Sequence, residues 1–181
     1  MSGDVHVIGM GNILYRDEGI GVYAAHYLRA AYRFTPPIEV ADGATMGFGL
    51  MNYFQPAGPP ARLVILDALL ADDQPGAVYR LSGDQLTSLG PAMRPTAHEV
   101  EPIQLLKLAT ALGRPPEMSL LGIVPADTSE LAVGLTPELG AAFPRYVDAA
   151  ITELAACGVH AERVHSVSLD EVLGGLVTCE R

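Results

Sequence analysis

The chain has 181 residues, with 21 Asp and Glu against 11 Lys and Arg and a formal net charge of −10. Hydrophobic residues make up 49%, which excludes a disordered chain and suffices for one sizeable core, while the acidic balance argues against nucleic acid or an anionic membrane as partner. No run reaches the ~18 apolar residues of a membrane span, and Met1-Ser2-Gly3-Asp4 has no basic, apolar signal region, so the expectation is one cytoplasmic domain over residues 1–181, with 159–181 as a C-terminal appendage.

Short apolar runs alternate with helical stretches, the pattern of an α/β layer structure. Strands are expected at residues 5–10, 38–41, 63–66, 77–81 and 118–124. Between the first two, Ile20, Ala24, Tyr27, Leu28 and Ala31 recur at spacings of three and four and predict a helix over 18–33. Pro36-Pro37 stops its continuation. Residues 47–54 read as a short helix and 55–60 as a turn-rich connection. A further helix is expected over 101–112, with Pro102 in its first turn and Gly113 as its stop. The last long helix opens at Thr136-Pro137-Glu138, runs to about Cys157 and ends at Gly158. Pro144 is expected to kink or split it.

The most informative stretch lies between the first strand and the first helix, Gly9-Met10-Gly11-Asn12-Ile13-Leu14-Tyr15-Arg16-Asp17-Glu18-Gly19-Ile20-Gly21. Gly9 and Gly11 permit a sharp turn, Asp17 reads as an N-cap, and Glu18 falls in the first helical turn. Gly19 and Gly21 each cost roughly 1 kcal/mol relative to Ala inside a helix, so another body must approach this backbone closely. A dinucleotide fingerprint would need glycine at position 14, which is Leu, and two carboxylates would face the pyrophosphate. No Gly-Lys-Ser/Thr is present, which excludes a P-loop.

Polar residues follow the C-terminal ends of several expected strands. The first strand leads to Asn12 and Glu18, the second ends in Asp42, the third in Asp67, and His98 precedes the 101–112 helix. Open α/β sheets place their sites at this edge, so a parallel arrangement gathers Glu18, Asp42, Asp67 and His98 on one rim. Two carboxylates and an imidazole suit a divalent transition metal with open positions. Each also has an ordinary structural reading. Glu18 suits a helix N-terminus, Asp67 a turn, His98 a solvated loop, and Asp42-Gly43 is a common turn pair. Asn12 stabilises its own loop through side-chain to backbone hydrogen bonds. Cys157 lies in a helix and Cys179 near the terminus; no base accompanies either, and their separation gives no metal-site spacing.

Together these motifs resemble the nickel-iron hydrogenase maturation endopeptidases. The N-terminal signature is Gly9-x-Gly11-Asn12-x-Leu14-x-x-Asp17-Glu18-Gly19-x-Gly21. Asp42-Gly43-Ala44-Thr45-Met46-Gly47 is similar to the family's Asp-Gly-Gly-Thr-x-Gly, with Ala44 in place of one glycine. The 63–66 run into Asp67-Ala68, His98-Glu99 and Gly122-Ile123-Val124-Pro125 match the later motifs in order. The resemblance implies a three-layer sandwich, a mostly parallel twisted five-stranded sheet flanked by helices on both faces. It implies a nickel-dependent endopeptidase of aspartic or metallo type that removes a C-terminal extension from the hydrogenase large-subunit precursor after nickel insertion. Glu18, Asp67 and His98 would meet a nickel carried by that precursor, with no tightly held metal of the enzyme's own. Asp42, with Gly43, Thr45 and Asn12, would serve substrate recognition, and the free chain would be monomeric. A non-catalytic assembly factor and a nucleotide-binding α/β domain are the alternatives.

Overall fold

The computed structural model describes residues 5–44, 62–88, 93–95, 107, 110–111 and 117–178. Five strands form the main sheet in the order β3-β1-β4-β7-β5, where β1 is Val5–Met10, β3 Glu39–Ala44, β4 Arg62–Ala71, β5 Val78–Ser82 and β7 Glu117–Ile123. The first four in that order run parallel, and β5 closes the edge antiparallel to β7. A short β6 (Met93–Pro95) pairs antiparallel with the far end of β4 at Leu69–Ala71. Helices lie on both faces: α1 (Ile20–Ala31) and α3 (Pro137–Ala156) on one, and the short α2 (Gly83–Thr87) on the other. This is the expected three-layer, mostly parallel arrangement.

Strand alternation divides the core. In β1 and β4, Val5, Val7, Val64, Leu66 and Ala68 join Ile20, Tyr23, Leu28, Phe143 and Tyr146 beneath α1 and α3. Ile8, Met10, Leu63, Ile65 and Leu69 turn to the opposite face, where Leu81, Leu86, Met118 and Leu120 meet them. Such central parallel strands are apolar on both sides because both faces are covered. Asp67 is in phase with Leu63, Ile65 and Leu69, a carboxylate in a row of buried aliphatics.

Several boundaries differ from the sequence reading. Residues 16–19 form a 3-10 turn, and α1 ends at Ala31 rather than 33. Tyr32–Thr35 is instead a strand, β2, paired antiparallel with β8 (His160–Arg163). Its alternating half-buried and exposed residues, with Tyr32 and Phe34 stacked at 6.4 Å, follow a strand period. β4 does not stop at Leu66 but carries Asp67 inside it and continues to Ala71. Pro144 does not split α3, which is one helix of 20 residues. Beyond Gly158, β8 is followed by α4 (Leu169–Thr178), whose Leu169, Leu173 and Leu176 pack on the main core. The helix expected over 47–54 and the 55–60 connection lie outside the described residues. Of the 101–112 helix only Lys107, Thr110 and Ala111 are described, and they are helical.

Candidate active site

Glu18 reaches its position through a set of close backbone approaches. A Cβ on Gly9 would lie 2.1 Å from Gly21 O, and one on Gly21 would lie 2.1 Å from Leu66 O and 2.5 Å from Met10 O. The body that these glycines admit is therefore the protein's own sheet: the start of α1 rests directly on β1 and β4. Gly11, at φ +118°, turns the chain beneath the Glu18 carbonyl, where a Cβ would come within 1.8 Å. The result is a 3-10 turn beside the end of β4, with Glu18 only 6% exposed.

Asp17 does not cap α1, whose N-cap is Gly19 without a side-chain bond. It is fully buried and accepts hydrogen bonds from Ala126 N (2.9 Å), Asp127 N (3.0 Å) and Thr136 N (2.7 Å), and from the Thr136 hydroxyl. The loop before α1 is thus fastened to the loop between β7 and α3, in part through the Thr136 that itself caps α3. Arg16 adds an ion pair to Glu130 at 2.7 Å, and Arg16 N donates to Ala132 O. These partners lie more than 100 residues away, which is why sequence pattern assigned Asp17 a local role.

Asp67 is 1% exposed. Burial pushes its carboxyl well above the ordinary carboxylate range; a 2.8 Å hydrogen bond from Ala68 N opposes this, and the nearby charge of Glu18 raises it further. Two carboxyl groups in one desolvated place resist ionising together, an arrangement that favours a retained proton or a nearby cation. The Asp67 strand is itself anchored: the buried Tyr146 hydroxyl donates to Leu121 O (2.8 Å) and to Asp67 O (3.3 Å).

The structure thus brings Glu18 and Asp67 together. His98 and Thr45 lie outside the described residues, and among the described residues no group of three or more His, Cys, Asp or Glu could hold an ion. Asn12 Oδ1 accepts from Leu14 N at 3.0 Å and supports its own loop. Asp42 sits on β3 opposite Gly9, on the α1 side of the sheet, with Oδ2 2.7 Å from His26 Nε2. Its Oδ1 is buried and has no hydrogen-bond partner among the described residues. Gly43 is the extra residue of a bulge between β3 and β1, squeezed against Ile8, Met10 and Gly9 O, where no side chain fits. Ala44 follows at φ +30°, the left-handed conformation that glycine occupies without strain and alanine does not. Sequence reasoning missed His26; its only signal was a polar residue two positions after Ala24 on a helix passing over β3.

A separate cavity of about 320 Å³ lies at the opposite edge, lined by the first residues of β4 and β7. Its arginines are already paired, Arg62 with Glu117 and Arg80 with the buried Glu153. It is remote from the Glu18–Asp67 pair.

A sequence profile for hydrogenase maturation proteases (HycI) matches residues 22–153. The chain belongs to the hydrogenase maturation proteases. Asp42, Asp67 and His98 fall inside the matched stretch, and Glu18 stands four residues before it. The chain is 31% identical to the hydrogenase expression/formation protein HupD of Bradyrhizobium diazoefficiens over 87% of its own length and 81% of that protein. It is similar to the hydrogenase maturating endopeptidase HybD of Escherichia coli, with 27% identity, a TM-score of 0.78, and coverage of 88% and 97% of the two chains. The [NiFe] hydrogenase maturation protease HybD of Thermococcus kodakarensis is 31% identical, with a TM-score of 0.66 and coverage of 84% and 99%. As a member of this family the chain is an endopeptidase of hydrogenase maturation. Among the described residues no helix is long and apolar enough to cross a membrane.

Proposed function

We propose that this protein removes the C-terminal extension of a nickel-iron hydrogenase large-subunit precursor after nickel insertion, and that the precursor's own nickel licenses the cut. The observation that carries this reading is the buried Glu18–Asp67 pair beside the C-terminal end of β4 in a member of a maturation protease family. A desolvated pair of carboxyls with surplus proton affinity gains most from a divalent cation, and an ion arriving with the substrate supplies it only at the correct stage of assembly. His98 is assigned as the third group to meet that ion, and no resident metal is required.

Hydrolysis needs a proton removed from water and one delivered to the leaving amine. Within this reading the pair, Glu18 and Asp67, accepts the first proton and returns it, because burial raises the proton affinity of Asp67 and the carboxyl of Glu18 lies close enough to raise it further. The nickel polarises the scissile carbonyl or the water. Asp42, whose Oδ2 is held by His26, is assigned with Gly43, Thr45 and Asn12 to recognition of the substrate.

Incubation of the purified chain with the precursor, with and without nickel, read by intact mass, tests the proposal. Loss of a C-terminal fragment only from the nickel-loaded precursor is expected. Equal trimming of nickel-free precursor would remove the nickel requirement, and binding without any mass change would leave an assembly factor.

A further inference from the structure

The described residues expose five large apolar side chains, Leu14 (47%), Tyr15 (37%), Leu70 (37%), Leu131 (71%) and Val133 (44%). None belongs to the edge where β4 and β7 begin. Leu14 and Tyr15 precede Glu18 on one loop, and Leu70 stands three residues beyond Asp67 on β4. Leu131 and Val133 lie on the β7–α3 loop, which a bridge between Tyr15 and Ala132 joins to the first. Clusters of exposed apolar side chains rimmed by polar groups mark protein interaction sites. Here the rim is the Arg16–Glu130 ion pair and the Asp127 turn.

We propose that Leu14, Tyr15, Leu131 and Val133 form the docking surface for an apolar segment of the precursor polypeptide that flanks the bond to be cut. This rests on the proteolytic reading of Glu18 and Asp67. The occupant is argued from continuity: Glu18 N donates to Tyr15 O at 3.0 Å within one turn, so a polypeptide lying against Glu18 comes close to this surface. The fastening of the two loops supports the same use. Asp17 spends a fully buried carboxylate, with bonds to Ala126, Asp127 and Thr136, on holding the patch and Glu18 in one body. A protein that must place one bond of a large folded substrate against two carboxyls needs such a fixed offset between anchor and catalytic groups.

The test is a kinetic comparison on the nickel-loaded precursor of wild type, the double variant Leu131→Ser/Val133→Ser, the conservative Leu131→Met, and Glu18→Gln. These exposed positions lie outside the core, so folding is checked by an unchanged Tm. The double variant is expected to raise KM about tenfold, the size of a lost interface anchor, with kcat within about twofold of wild type. Leu131→Met keeps the wild-type KM. An unchanged KM in the double variant, with Glu18→Gln inactive, overturns the docking surface while leaving the catalytic reading intact. Glu18→Gln trimming at the wild-type rate would instead strike the catalytic reading. A wild-type dimer in sedimentation velocity that the double variant dissociates, with KM unaltered, would reassign the patch to self-association and likewise overturn the proposal.

Discussion

At the scale of single residues, two buried acids, Asp17 and Asp67, carry unrelated tasks. Asp17 is satisfied by several donors and fastens two loops, whereas Asp67 accepts from Ala68 N and has a carboxyl neighbour. The second arrangement costs stability, and its sign with pH can be worked out. Because the folded state holds Asp67's proton more tightly than the unfolded chain, folding is favoured by this group below the ordinary carboxylate range. That contribution is lost as pH rises towards the folded-state value. Asp67→Asn, which removes the charge but keeps the shape, is therefore expected to flatten the fall in stability as pH rises from about 4. At pH 7 it should be more stable than wild type by on the order of 1 kcal/mol. Urea unfolding at pH 4 and pH 7 measures this, and parallel pH profiles for both proteins would contradict it. Glu18 and Asp67 were visible in the sequence as acids following an apolar run. The Asp17 partners and the His26–Asp42 pair were not, since both depend on contacts between segments distant in the chain.

At the scale of elements, the placement of α1 on the sheet decides whether a site exists. Gly21 has no room for a side chain between helix and strands, with Leu66 O and Met10 O closing around it. Gly21→Ala is expected to lift the first turn of α1 from β4, separate Glu18 from Asp67, and reduce trimming of the precursor at least tenfold. The accompanying stability loss is about 1–3 kcal/mol, typical of overpacking. Activity and Tm measured together check it, and a variant with unaltered kinetics would show that the close approach is dispensable. The helix-breaking glycines signalled in the sequence that something approaches this backbone. What approaches could not be read there, because local pattern does not distinguish a substrate from the protein's own sheet. The apolar β1 run was legible to the residue, 5–10. β4 was read too short because Asp67 looks like a turn residue, although Ala68, Leu69 and Leu70 continue the strand and β6 pairs with its end.

At the scale of the whole molecule, the sheet separates structure from chemistry. The edge where β4 and β7 begin carries the Arg62–Glu117 and Arg80–Glu153 pairs, all internally matched. The opposite edge carries the buried carboxyls of Glu18 and Asp67, the bulge at Gly43 and the exposed apolar side chains. Order of motifs along the chain sufficed to foresee the layered fold and the family, since a parallel sheet delivers successive strand ends to one rim. It did not reveal that residues 160–163 add a strand to β2 or that α4 packs on the core, because short polar strands such as His160–Arg163 lack an apolar signature.

The central claim is that Glu18 and Asp67 together perform the cut on a nickel-bearing precursor. An intact-mass time course on nickel-loaded precursor with wild type, Glu18→Gln and Asp67→Asn, each shown by circular dichroism to be folded, tests it most directly. The expected result is complete loss of the C-terminal fragment with wild type and a rate at least a hundredfold lower with either variant. Wild-type trimming by both folded variants would contradict the account.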